Sequence, residues 1–309
     1  MTVIHWLSAG ALLASVGAAP AVAQETLVAP GPQGDLAGTL VAPAEGQPLV
    51  LIIPGSGPTD RDGNSSLGVT AAPYRLLADA LAERGIGTLR IDKRGMFASK
   101  AAVADANAVT IADYVTDTAS WVGAARTATG AECIWLLGHS EGGIVALAAA
   151  QEVPHLCGII LVAVPGRPLA TVLREQLRAN PANAPLLEDA EAAIATLETG
   201  ERVDVTPLHP ALQSLFAPAV QGFLIDLMAQ DPAALAKQTD LPMLIVHGGN
   251  DLQVTATDAQ MLRAAAPQAK YLEIPAMNHV LKDIPDGAPA ANRASYGDPS
   301  LPVSRALVA

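Results

Sequence analysis

The stretch CIWLLGHSEGGIVALAAAQEV, residues 133–153, decides the fold. It opens on a continuous apolar run, the pattern of a strand buried on both faces rather than on one. From Gly142 onward its apolar and small residues fit one helix. Between the two lies Gly-His-Ser-Glu-Gly, so Ser140 occupies a strand-to-helix turn. A turn this sharp needs very small residues two before and two after the serine, and Gly138 and Gly142 supply them. The helix N-terminus beyond it directs free backbone N–H groups toward negative charge developing beside Ser140. The spacing marks Ser140 as a candidate nucleophile, with Gly138 and Gly142 supporting its turn.

The same alternation runs outward on both sides. PLVLIIPG (48–55), GTLRID (87–92), LCGIILVAVPG (156–166), MLIVHG (243–248) and AKYLEIP (269–275) read as strands, and GDLAGTLVAP (34–43) as an earlier, alternating one. YRLLADALAERG (74–85), TIADYVTDTASWVGAART (110–127) and TDAQMLRAAAP (257–267) have helical spacing, the second opening on Thr110 with Asp113 three residues on. Strand alternating with helix predicts an α/β fold with a mostly parallel, wound sheet. The rhythm breaks once. Residues 167–241 carry helical pattern without a strand signal, too long for a plain connection. We read them as a helical cap inserted over the sheet.

A serine nucleophile needs a base, and the base needs a carboxylate to orient it. Beyond Ser140, Asp251 lies in the loop leaving LIVHG, and His279 in the loop leaving LEIP. Both loops leave the carboxyl ends of their strands, the edge that carries Ser140. The order Ser, Asp, His at three successive strand ends makes Ser140, Asp251 and His279 the candidate catalytic residues. An oxyanion needs two donors. PGSGPTDRDGN follows the first buried strand, so the N–H of Ser56 and that of Glu141 form the candidate pair, with Gly55 letting the loop approach closely. Asp60, Asp62 and Asn64 resemble a calcium loop in spacing only, because Ser65 and Ala71 stand where such a loop needs Gly and Glu. They are read instead as bracing their loop, with Arg94 as the partner. His139 and His247 read as supports for the elbow and the acid loop. No metal cluster and no cofactor motif is found.

Half of the residues are apolar, enough for a large core. A formal net charge of −12 repels phosphate backbones, so nucleic acid is not an expected partner. Trp6 to Ala19 is mostly apolar, and Ala21-Val22-Ala23 is a small-x-small site before Gln24. Residues 1–23 therefore read as a signal peptide and 24–309 as the mature domain, periplasmic or secreted and without stable membrane insertion. No Lys or Arg precedes the apolar run, which leaves an uncleaved anchor or a misassigned start codon as alternatives. Cys133 and Cys157 open neighbouring predicted strands at similar offsets, where a disulfide and two buried thiols both fit.

PGSGPTDRDGN, RIDKRG, GHSEGG and ANRASYGDPSLP together resemble the α/β-hydrolase superfamily, in particular its bacterial secreted esterase-like and serine-aminopeptidase-like branch. The resemblance covers about residues 30–305. It implies the α/β-hydrolase fold with an eight-stranded sheet, a helical cap, a Ser-Asp-His triad and no cofactor. Pro54 departs from the pattern, standing where many relatives have His before the oxyanion glycine.

The expected chemistry is acyl transfer to water, with a small-molecule ester as substrate. In the cap, LHPALQSLFAPAVQGFLIDLM (208–228) repeats apolar residues at helical spacing. Phe216, Phe223 and Leu224 form a candidate acyl-pocket wall; packing on the sheet explains the same face. Glu188, Asp189 and Glu191 keep open an aminopeptidase that holds a substrate ammonium. Thioester or lactone hydrolysis and ligand binding without turnover remain further alternatives. Oligomeric state is not legible.

Overall fold

The computed structural model describes residues 23–309. The expected signal peptide lies, apart from Ala23, outside the described residues.

Eight strands form one sheet in the order β1-β2-β4-β3-β5-β6-β7-β8. They are β1 (Glu25–Ala29), β2 (Leu36–Val41), β3 (Leu49–Ile53), β4 (Gly87–Ile91), β5 (Ile134–His139), β6 (Leu156–Val162), β7 (Met243–Gly248) and β8 (Lys270–Ile274). β1 runs antiparallel to β2 and β2 antiparallel to β4, while every other pairing is parallel. β3 and β4 are buried at every position, as strands covered on both faces must be. The sequence reading did not place β1. It is an edge strand whose first residues are exposed, so it carries hydrogen bonds and little apolar signal.

Helices cover both faces. α1 (Pro73–Ala82) packs Tyr74 and Leu77 on one side, and α2 (Ile111–Thr129) and α3 (Glu141–Glu152) pack Trp121, Val145 and Leu147 on the other. α2 begins with the capping box expected at Thr110, which satisfies two otherwise unpaired N–H groups. The break between β6 and β7 holds five helices: α4 (Leu169–Ala179), α5 (Leu187–Glu198), α6 (Pro210–Leu215), α7 (Gln221–Met228) and α8 (Pro232–Gln238). α9 (Ala256–Ala265) joins β7 to β8, and α10 (Pro289–Ser295) and α11 (Arg305–Val308) close the chain.

The inserted helices build a core of their own, from Ala190, Ile194, Leu197, Leu212, Phe216 and Met228. This corrects the expected acyl wall. Phe216 is fully buried inside that core, and Leu224 packs against it. Phe223 meets the Tyr114 ring edge-on at 6.0 Å, facing the main core. A short helical insertion has little area to bury, so its apolar face closes the insertion itself and its seam with α2.

Cys133 and Cys157 are joined by a disulfide, with Cα atoms 5.1 Å apart. Ile134 pairs with Leu156 but Trp135 with Gly158, so Cys157 is the extra residue of a bulge beside Cys133. The bridge lies at the amino ends of β5 and β6. Ser140 lies beyond the carboxyl end of β5.

Candidate active site

Ser140 follows β5 and opens α3 with φ 53° and ψ −125°, a conformation that a residue with a side chain holds only when its surroundings impose it. The imposing contacts are visible. Ser140 N–H donates to Val162 O at 3.0 Å, and Gly143 N–H donates back to Ser140 O at 2.9 Å. A Cβ at Gly138 would collide with Gly142, and one at Gly142 with the carbonyl of Ile53. Both glycines are therefore required by close approach, as the spacing suggested.

Asp251 and His279 come together from the loops after β7 and β8. His279 Nδ1 and Asp251 Oδ2 are 2.8 Å apart, with the Asp251 side chain fully buried and that of His279 nearly so. The other carboxylate oxygen accepts the N–H groups of Gln253 at 2.7 Å and Val254 at 2.9 Å. Burial works against ionisation of this carboxyl, but the His279 imidazole and the two N–H donors outweigh it and hold Asp251 below its ordinary range. The His279 loop is fixed from behind. Asn278, fully buried, donates to Asn292 Oδ1 at 3.1 Å and Ser295 Oγ at 2.7 Å in α10. Asn250 binds Ala276 O and Ile284 O, tying the acid loop to the histidine loop.

Ser140 and His279 line one pocket of about 350 Å³. Its other walls come from the 55–74 segment, His139, Gln253, Val280 and Tyr296. No residue of the cap helices lines it. Among the described residues, no Asp, Glu, Lys or Arg lines it either.

Along the pocket wall runs a hydrogen-bonded chain. Gly55 N–H donates to Tyr74 Oη at 3.0 Å, Tyr74 Oη lies 2.9 Å from His139 Nδ1, and His139 Nε2 lies 2.8 Å from His279 O. A carbonyl only accepts, so the proton on His139 is assigned to Nε2. Nδ1 then accepts from the Tyr74 hydroxyl, whose oxygen accepts from Gly55. Burial first, and then the neighbouring His279, push the His139 pKa down to about 3, so the ring stays neutral. His139 supports the elbow, as expected, and links it to the histidine loop and the Gly55 loop. Tyr74 was not singled out in the sequence. A buried tyrosine at the start of a helix has no local signal, and its role follows from a partner 65 residues away.

The candidate oxyanion donors sit where the chain order places them. Glu141 is the first residue of α3, so its N–H has no acceptor within the helix. The N–H of Ser56 has no acceptor among the described residues. The Gly55 N–H is taken by Tyr74, while that of Ser56, the next residue, stays free among the described residues. Gly55 earns its place by proximity: a Cβ there would stand 3.3 Å from Ser140 Cβ.

The acidic loop is braced differently from the expectation. Asp62 pairs with Arg90, and Arg61 with Asp92 at 2.6 Å. Arg94 instead turns to α2 and binds Asp113 at 2.8 Å and Asp117 at 2.7 Å. Arg90 on β4 and Asp92 just past its end reach the loop, whereas the chain turns at Arg94, which faces α2. The Asp60 carboxylate accepts N–H bonds from Asp62 and Asn64. His247 is buried at the end of β7, with Nδ1 unpartnered among the described residues and no bond to the acid loop.

Comparison with known proteins gives the family and the fold. A family model described as serine aminopeptidase, S33, matches residues 67–282. Esterase EstD of Thermotoga maritima is 29% identical over 241 residues, which are 76% of this chain and 54% of that protein. The chain thus spans about half the length of that relative. Among solved structures, Est1E from Butyrivibrio proteoclasticus superposes with a TM-score of 0.56 at 18% identity, over 88% of this chain and 96% of that one. An esterase domain from Rhodothermus marinus gives 0.52 at 19% identity, over 88% and 96%. At such identities the structural likeness speaks for the α/β-hydrolase fold alone.

Proposed function

The chain belongs to the serine aminopeptidase S33 family, and on that premise we propose that it is a serine hydrolase of carboxylic esters with small to medium apolar acyl groups. The observation that carries this reading is the pocket lining. Leu67, Val69, Pro73 and Val280 offer apolar surface, and no carboxylate among the described residues lines the pocket to hold a substrate ammonium. The cap carboxylates are elsewhere: Glu191 pairs with Arg174 and Arg178, and Glu188 and Asp189 are exposed on α5. An aminopeptidase is therefore the second reading, carried by the family description and not by the site.

In this reading Ser140 Oγ attacks the acyl carbon while its proton passes to His279 Nε2. Asp251 holds the resulting imidazolium. The oxyanion accepts from the N–H groups of Ser56 and Glu141. Collapse expels the alcohol, which takes the proton from His279. Water then attacks the acyl-enzyme with His279 as base, releasing the acid and restoring Ser140. None of these steps calls for a cofactor. The neutral His139 beside His279 matters here, because a second cation at a ring-centroid distance of 4.8 Å would oppose imidazolium formation.

The proposal extends to the compartment. A disulfide is kept in oxidising surroundings. With the apolar N-terminal stretch, this favours a periplasmic or secreted protein. Parallel assays decide the chemistry: p-nitrophenyl butyrate against an aminoacyl-p-nitroanilide, with fluorophosphonate labelling mapped by mass spectrometry. Ester turnover with label on Ser140 is expected. Amide turnover dominating over ester would favour the aminopeptidase, and an unlabelled Ser140 would remove the reading altogether.

A further inference from the structure

Lys93 follows β4, and the β3–β4 register that pairs Ile52 with Arg90 brings it opposite Gly55. Its side chain is 5% exposed. Nζ donates to Gly55 O at 2.7 Å and stands 3.5 Å from Glu141 Oε1, a carboxylate that is also 5% exposed. The Tyr114 ring lies beneath, with its centroid 5.7 Å from Nζ. Lys93 does not line the pocket with Ser140, so it touches no substrate there.

Those two contacts fall on the two halves of the candidate oxyanion hole. Gly55 O belongs to the peptide whose N–H is that of Ser56. The peptide is planar and trans, so fixing its carbonyl toward Lys93 aims the Ser56 N–H the opposite way. Tyr74 takes the Gly55 N–H, so the peptides on both sides of Gly55 are held. The second contact reaches the side chain of Glu141, whose own N–H is the other donor. A cation behind the Gly55–Ser56 peptide also draws electron density from its carbonyl and makes its N–H a stronger donor.

We propose that Lys93 is the positioning residue of the oxyanion hole: one buried ammonium fixes the Ser56 donor through Gly55 O and the Glu141 donor through its carboxylate. The inference rests on the serine-hydrolase reading. A buried Lys–Glu pair adds little net stability over an apolar pair, because desolvation offsets attraction. Its location at both donors gives it a purpose that stability alone does not.

The test uses the full mature chain and two variants, Lys93→Met and Lys93→Met with Glu141→Gln. The single variant strands a buried carboxylate and is the one at risk of unfolding. The double variant removes both charges and keeps the volume. Circular dichroism and melting establish the fold, and kcat and KM on p-nitrophenyl butyrate are read beside Ki for a trifluoromethyl ketone that adds to the serine as a tetrahedral oxyanion. Removing one oxyanion donor costs roughly a hundred- to a thousandfold in kcat, and loosening donors without deleting them costs less. Folded variants are expected to lose about ten- to a hundredfold in kcat with KM within twofold, and Ki rises by the same factor. A folded double variant with kcat and Ki within twofold of wild type overturns the inference. So does a loss confined to KM. If the wild type itself neither turns over ester nor labels at Ser140, the functional reading falls and this inference with it.

Discussion

The carboxyl edge of the sheet and the helical cap use charge in opposite ways. At the edge, charged pairs are buried: Arg94 with Asp117 at 5% and 7% exposure, and Lys93 with Glu141 at 5% each. In the cap, apart from Arg167, which sits at its root and pairs with buried Asp258 of α9, they lie nearer the surface, where Arg174 binds Glu191 and Glu198, and Arg178 binds Glu191. Exposed pairs contribute under about 1 kcal/mol, and buried ones repay their desolvation poorly. The cap is therefore held by its apolar core, with salt bridges as trimming. The edge fixes dipoles and charges at some cost in stability, which makes sense only if their positions are used. Damage at the edge should show in turnover and damage in the cap in melting.

Ser140→Ala is the largest expected break in that comparison. Loss of a triad nucleophile costs on the order of a millionfold in kcat. Melting should stay within a few degrees of wild type, since the hydroxyl supports no packing. A variant that keeps a tenth of wild-type ester hydrolysis would take the nucleophile away from Ser140.

Phe216→Ala is the mirror experiment. A fully buried ring in the cap core is removed, at an expected cost of about 3–5 kcal/mol. Below the shifted melting transition, kcat/KM on a short aryl ester should change less than about twofold, because no cap side chain lines the pocket. A tenfold rise in KM with unchanged melting would return Phe216 to the acyl site.

Reduction of Cys133–Cys157 extends the comparison to the opposite edge. The bridge closes a sequence separation of 24 residues, worth about 3 kcal/mol in the chain-entropy account. Melting should fall on reduction and kcat should hold. Equal losses in both would mean that the bulge at Cys157 transmits to the elbow.

What could be read from the sequence divides along the same line. The sheet's central strands, the elbow and the order of Ser140, Asp251 and His279 were legible because each rests on a local pattern: an apolar run, a glycine spacing, a strand end. The disulfide was half legible, since strand spacing allowed it but the bulge that turns Cys157 toward Cys133 leaves no trace in composition. Lys93, Tyr74 and the fate of Phe216 were not legible. Helical spacing says that Phe216 faces something apolar without saying whether that is the sheet, a substrate or its own insertion. Lys93 matters through Gly55 O and Tyr74 through His139, contacts that exist only after β3, β4 and β5 lie side by side.

The smallest predicted effect sharpens the comparison from within the edge. His139 is buried neutral, with a folded pKa of about 3 against 6.5 for the free side chain. Between those values the unfolded chain binds a proton that the folded chain refuses, so stability falls as pH falls. The window opens near pH 6.5 and closes near pH 3, with a slope of roughly 1 kcal/mol per pH unit from this group. Asp251, held below its ordinary range, adds a loss in the same direction at the acid end. The upper part of the window, from pH 6.5 to 5, therefore reports His139 most cleanly. Urea denaturation of wild type and His139→Gln across that range gives two curves whose difference isolates the group. The variant should be less stable at neutral pH, where it loses the bonds to Tyr74 and His279 O, and flatter with acid. Parallel curves would mean that His139 takes up its proton without disturbing the fold, and the fixed, neutral ring behind His279 would have to be given up.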